Sequence, residues 1–175
     1  MKRIVLTGAE CTGKSTLAQA LAGYYGEPWT PEFVRTYVER VQRELRVSDL
    51  PEIFAGQLAL EDAALENADR CIFHDTNILS SILYGNHYFG HREDSEQARF
   101  VERDYALYLL CSPRGIDWTA DPGQRDSPEA RNTLQAKFKA SLDTLALPYI
   151  EMHGDLSARM SASVRAVDAL LERSS

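Results

Sequence analysis

The chain has little cysteine, no long apolar run and no surplus of positive charge, and each shortage removes a class of function. Cys11, Cys71 and Cys111 are the only cysteines in 175 residues, an odd number without Cys-x-x-Cys spacing. No disulfide framework is indicated, and they read as reduced thiols of a cytosolic protein. Nothing approaches the roughly 18 apolar residues of a membrane helix, and the N-terminus reads as a strand rather than a targeting segment. Lys and Arg number 19 against 26 Asp and Glu, a net charge of −7. A sequence-independent grip on nucleic acid or an anionic membrane is therefore not expected. There is no internal repeat and no low-complexity tract. The length suits one domain over residues 1–175 that buries a core without metal or disulfide help, with small molecules as partners and a homo-oligomer left open.

What is present begins at Gly8. Gly8-Ala9-Glu10-Cys11-Thr12-Gly13-Lys14-Ser15 fits G-x-x-x-x-G-K-[ST]. A loop that wraps phosphate oxygens must turn its backbone N–H groups inward, and glycines at both ends permit the close approach and unusual dihedrals required. The lysine reaches the β- and γ-phosphates as a point charge, and the next hydroxyl ligates Mg²⁺. The motif carries weight when a strand precedes it and a helix follows, because the helix N-terminus adds partial positive charge behind the phosphates. Ile4-Val5-Leu6 supplies the strand; Leu17, Ala20 and Leu21 mark the helix. Gly8, Glu10, Cys11, Thr12, Gly13, Lys14, Ser15 and Thr16 are thus the expected ATP-binding set.

The remaining pattern alternates. Strand 1 is expected over 2–6 and its helix to about Tyr25, where Gly26-Glu27-Pro28 stops it. A short strand follows over 29–32. Apolar residues from Phe33 to Leu45 predict a helix over 33–47, and Ser48-Asp49-Leu50-Pro51-Glu52 reads as the N-cap of another running to about Ala68. Buried strands are expected at 70–75 and 105–111, a fifth strand at 148–152, then a closing helix over 156–173. Apolar strands separated by helices indicate an α/β fold, a five-stranded parallel sheet with helices on both faces, and ligands beyond its C-terminal strand ends.

Phosphoryl transfer needs an aligned γ-phosphate, neutralised charge and an acceptor hydroxyl oriented by a carboxylate. Asp75, ending Cys71-Ile72-Phe73-His74, is the acid of a Walker B segment, placed for Mg²⁺ or the acceptor; the plainer role is a cap for the next helix. Glu32 could take the acceptor proton with Arg35 beside it, or be only an acid favourable to a helix dipole. Residues 112–133, with Arg114, Arg125 and Arg131, read as a lid of which at least one arginine contacts phosphate and which excludes water on closing; the plainer role for the others is pairing with surface acids. Trp118 either covers the substrate's base or packs under the lid. His87 and His91, four apart without a third ligand, read as solvated loop residues.

These segments resemble the ribosylnicotinamide kinase domain of the NadR type, in the P-loop nucleoside kinase group. The resemblance rests on Thr7-Gly8-Ala9-Glu10-Cys11-Thr12-Gly13-Lys14-Ser15-Thr16-Leu17, with Cys11 where serine is usual, on Glu32-Phe33-Val34-Arg35-Thr36-Tyr37, on Gln57, and on Asp75-Thr76-Asn77. An approximate lid pattern runs from Ile116 through Asp117, Trp118, Asp121, Pro122 and Gly123 to Arg125, displaced by one residue around Pro122. The resemblance implies ATP- and Mg²⁺-dependent phosphorylation of the 5′-hydroxyl of nicotinamide riboside. Lys14, Glu32, Asp75 and Arg125 would be catalytic. Arg35, Tyr37, Gln57, Asn77, Trp118 and Asp121 would join Glu32 and Asp75 around the substrate. No H-x-G-H segment is present, so the kinase alone is expected. A nucleoside monophosphate kinase, with Arg35 and Arg40 holding the acceptor phosphate, and a nucleotide-switched ATPase remain the competing readings.

Overall fold

β1 (Lys2–Thr7) lies at the centre of a five-stranded sheet, in the order β2-β3-β1-β4-β5, every pairing parallel. The computed structural model describes residues 1–92, 94–119 and 127–173. The other strands are β2 (Trp29–Thr30), β3 (Cys71–Asp75), β4 (Tyr105–Cys111) and β5 (Tyr149–Met152). Successive side chains of a strand point to opposite faces, and both faces here are apolar, as a sheet covered on two sides requires. Ile4 and Leu6 join Phe73 and Leu109 against Leu17 and Leu21 of α1 (Lys14–Tyr25) and Val167 of α7 (Leu156–Glu172). Val5 and Tyr108 face the other way. They meet Phe54 of α3 (Leu50–Leu65), Ile78 of α4 (Ile78–Phe89) and Phe138 of α6 (Pro128–Thr144). α2 (Phe33–Val41) and α5 (Asp94–Val101) complete the helices.

Several element ends depart from expectation, each for a local reason. β2 stops at Thr30, because Pro31 has no N–H for the ladder, and Glu32 becomes the N-cap residue of α2. α2 ends at Val41 rather than near 47. Gln42 turns left-handed at φ 49°, and its N–H closes on the Val38 carbonyl at 2.9 Å. Val47–Asp49 forms a 3-10 turn before α3. That helix ends at Leu65, since Asn67 and Ala68 donate only three residues back, to Ala64 and Leu65. Residues 128–133 of the expected lid belong to α6. Ser127 accepts from the Ala130 N–H and Pro128 takes the first turn, a local start signal strong enough to begin a helix.

Candidate functional site

The sheet brings the loop after β1, the end of β3 and the start of α2 to one edge. Gly8 has φ 123°, and a Cβ there would stand 2.8 Å from the Cys111 carbonyl oxygen, so only glycine fits. Gly13, at φ 79°, is the left-handed entry to α1. Between them Cys11 also has positive φ, 53°. The Ala9 carbonyl accepts from Thr12 Oγ1 at 2.9 Å and from Lys14 Nζ at 2.8 Å, which holds the lysine head over the loop. Ser15 and Thr16 open α1 directly behind it.

Asp75 ends β3 with only 2 % of its surface exposed. Thr76 then takes φ 70° and donates its N–H to the Leu6 carbonyl at 2.9 Å, a left-handed turn at a residue for which that region is costly. Burial raises the Asp75 carboxyl above its ordinary value; the Lys14 charge opposes this, Glu32 adds to it, and the Ser15 hydroxyl and Arg35 oppose it. These named influences link the loop lysine, the loop serine and the β2–α2 acid in one electrostatic neighbourhood. Asp75 Oδ1 is buried without a hydrogen-bond partner among the described residues. A hydrated divalent cation would satisfy such an orphan, so Asp75 and Ser15 fit Mg²⁺. No cluster of three His, Cys, Asp or Glu exists among the described residues. Preceding Asp75, His74 is fully buried against Thr30 Oγ1 at 2.9 Å, and burial drives its ring down to about 3, so it is neutral.

Beside the loop opens a cavity of about 470 Å³. Glu10, Lys14, Glu32 and Arg35 line its inner end, and Tyr84 and Tyr88 of α4 line its wall, their rings stacked 6.1 Å apart at 14°. Arg35 Nε donates to Glu32 Oε2 at 3.1 Å. Five of the described residues expected around the substrate, Tyr37, Gln57, Asp75, Asn77 and Trp118, do not line it. Tyr37 is buried and donates to Asp49 Oδ1 at 3.0 Å, in a cluster where Arg43 clamps the same carboxylate. Gln57 is buried, accepting from the Phe33 N–H at 3.0 Å and facing Glu61. Asn77 donates to the Tyr108 hydroxyl at 3.0 Å inside the molecule. Tyr37, Gln57 and the Asn77 amide nitrogen are held by buried polar contacts that local sequence does not announce, while Asn77 Oδ1 has no partner among the described residues. Arg40 pairs with Glu52 and lies over the Tyr37 ring, outside the cavity.

Of the expected lid, Arg114 is exposed, Trp118 is half-buried with its Nε1 unpartnered among the described residues, and Asp117 accepts from Cys11 Sγ at 3.4 Å. Arg131 sits on α6 and donates to the Ile116 carbonyl at 3.1 Å. Asp121 and Arg125 lie outside the described residues. His87 and His91 are not merely solvated: Lys137 donates to His87 Nδ1 at 2.9 Å, and His91 Nε2 lies 3.1 Å from Glu96.

Sequence reasoning missed the groups that brace the loop from afar. Arg159, 3 % exposed, donates to three carbonyl oxygens, those of Thr12, Ser112 and Gly154. Gln135 accepts from the Ala9 N–H and donates to the Cys111 carbonyl. Tyr84 donates to Glu10 Oε2 at 2.9 Å. Aromatic Tyr84 and Tyr88 at helical spacing were the one available signal, and it is shared with ordinary core helices.

Comparison with known proteins agrees with this geometry. The family model described as AAA domain matches residues 3–159. The trifunctional NAD biosynthesis/regulator protein NadR of Salmonella typhimurium is 27 % identical over 125 residues, covering 69 % of this chain and 30 % of that protein. The chain thus spans less than a third of the curated relative's length. A crystal structure of NadR in complex with NR superposes at a TM-score of 0.81 with 19 % identity, over 98 % of this chain and 52 % of that one. Deoxyadenosine kinase from M. mycoides, with dCMP and dCDP bound, superposes at 0.67 with 12 % identity, over 95 % and 99 %. The chain belongs to the AAA domain family, as a P-loop nucleotide-binding domain similar to that of NadR.

Proposed function

We propose that the chain is a single-domain, ATP- and Mg²⁺-dependent kinase that phosphorylates the 5′-hydroxyl of a nucleoside, with nicotinamide riboside the preferred acceptor, in the cytoplasm. The observation that carries this reading is the cavity beside the phosphate loop. Its charged lining consists of three acids, Glu10, Glu32 and Glu44, against Lys14 and Arg35, and Arg35 already bonds Glu32. A monophosphate acceptor would meet net repulsion there. An uncharged sugar carrying a cationic aromatic ring would be attracted, both by carboxylates and by tyrosine faces. The NadR resemblance and the NR complex of a similar fold point the same way.

Each residue then has a task. Loop amides and Lys14 hold the β- and γ-phosphates and stabilise charge as it shifts toward the leaving ADP oxygen. Ser15 and Asp75 hold the cation, which neutralises phosphate charge when bound. Glu32, on the cavity wall with its side chain 15 % exposed, orients the 5′-hydroxyl and accepts its proton as the new P–O bond forms and the bond to ADP breaks. Arg35 fixes the Glu32 carboxylate. The arginine-bearing segment after β4, including Arg125, is the lid.

The deciding assay supplies Mg·ATP with nicotinamide riboside, common ribonucleosides and deoxyribonucleosides, and their monophosphates, and reads ADP and phosphorylated acceptor together. A riboside product formed in step with ADP is the expected result. ADP release without any phosphorylated acceptor would sink the kinase reading, and turnover of monophosphates alone would make the acceptor a nucleotide.

A further inference from the structure

Glu10 is an awkward residue to find in a phosphate loop. The residue is only 7 % exposed, so solvent does little to satisfy its side chain. A carboxylate turned toward triphosphate oxygens would repel them. Its surroundings instead offer protons from the other side. Oε2 accepts the Tyr84 hydroxyl at 2.9 Å, and burial together with the Glu10 charge holds that phenol well above its ordinary range, so it remains a donor. Oε1 is buried with no hydrogen-bond partner among the described residues. Ser80, on the same cavity wall, has an equally buried and unpartnered Oγ. A buried polar oxygen without a donor is costly, and two such orphans on residues that line one cavity mark where a ligand, with a small side-chain shift, supplies hydrogen bonds.

We propose that Glu10 belongs to the acceptor subsite, its free carboxylate oxygen accepting a hydrogen bond from a sugar hydroxyl of the nucleoside other than the one phosphorylated. This rests on the kinase reading above and assigns that site's discrimination between ribosides and deoxyribosides. Tyr84 is the positioning residue that fixes the carboxylate, and Ser80 faces the same part of the sugar. A site built to bond a hydroxyl rejects the analogue that lacks it, because its own polar atom is then left bare.

The test measures KM for acceptor and for ATP, and kcat, with a riboside and its 2′-deoxy and 3′-deoxy analogues, for wild type, Glu10→Gln and Tyr84→Phe. Gln keeps the shape of Glu, and Tyr84→Phe removes one oxygen, so thermal midpoints close to wild type confirm that both variants fold. Wild type is expected to favour the riboside over at least one deoxy analogue by about tenfold or more in kcat/KM. Glu10→Gln should raise the riboside KM about tenfold, leave the ATP KM within about twofold, and flatten the deoxy discrimination; Tyr84→Phe should do the same more weakly. A Glu10→Gln enzyme with altered ATP KM and unchanged riboside KM overturns the proposal, as does retained deoxy discrimination. If wild type phosphorylates no riboside, the kinase reading itself fails and takes this proposal with it.

Discussion

In the proposed reaction Lys14 serves the phosphoryl donor and Glu32 the acceptor, so their replacements should differ in kind. Lys14→Ala removes a buried ammonium that lies over the loop and should abolish turnover with every acceptor. Glu32→Gln keeps the cavity's shape and should leave ATP binding near normal while kcat falls by about 10²-fold or more, read by steady-state kinetics beside a nucleotide-binding titration. If Glu32→Gln keeps full kcat, Asp75 becomes the better candidate for the proton acceptor. Arg159 works at one remove. Its guanidinium bonds three carbonyl oxygens from three separate loops, one of them inside the phosphate loop. Arg159→Met preserves apolar bulk but strands those acceptors, and should lower stability by roughly 2–4 kcal/mol in urea unfolding and raise the ATP KM, with the acceptor KM less affected.

The junction of α2 and α3 sets where Glu32 sits, and two replacements probe it. Gly56 on α3 lies under the Phe33 ring, where a Cβ would come within 2.2 Å of ring carbons. Alanine favours a helix by about 1 kcal/mol over glycine, and the ring can swing outward. Gly56→Ala should therefore change stability little while kcat/KM falls, because Phe33 adjoins Glu32. The Tyr37, Arg43 and Asp49 cluster locks the turn between these helices, and Arg43 holds the Asp49 carboxyl well below the usual carboxylate range. A depressed carboxyl contributes stability that is fully present above its unfolded value and is lost as pH falls through its lower folded value. Asp49→Asn should lower the thermal midpoint at pH 7, and its gap to wild type should close as pH drops below about 4. Neither contact could be read in advance. The apolar runs at β1, β3 and β4 announced the sheet because buried parallel strands must be apolar, and the phosphate loop announced itself because its backbone geometry demands glycine. α4 stayed hidden: Gly85, Asn86 and His87 interrupt its pattern, and tertiary packing rather than propensity makes it a helix. The same holds for the cavity it walls. Tyr84 meets Glu10 across 74 residues and Arg159 meets Thr12 across 147, and no local rule encodes such distances.

At the scale of the whole molecule, the site belongs to folded protein alone, since its parts come from β1, α1, α2, β3 and α4. A ligand that binds only the folded state raises stability by mass action. Mg·ATP at about 100 times its dissociation constant should add about 2.7 kcal/mol, or a rise of roughly 5–10 °C in the thermal midpoint. Lys14→Ala should show little of that rise in the same scanning experiment, which separates loss of binding from loss of chemistry.

β1, at the middle of the sheet, also has a consequence for how the chain comes into being. Its neighbours on either side are β3 and β4, which follow it by about 70 and about 100 residues, so a ribosome adding about 5–20 residues per second leaves β1 waiting some 5–20 s for its second partner. Until β3 is made the apolar Ile4-Val5-Leu6 stretch has both edges open, and until β4 is made one of them stays open. The sheet's centre is made first and secured late, which favours slow folding and makes the nascent chain a natural client for chaperones that shield bare apolar strands.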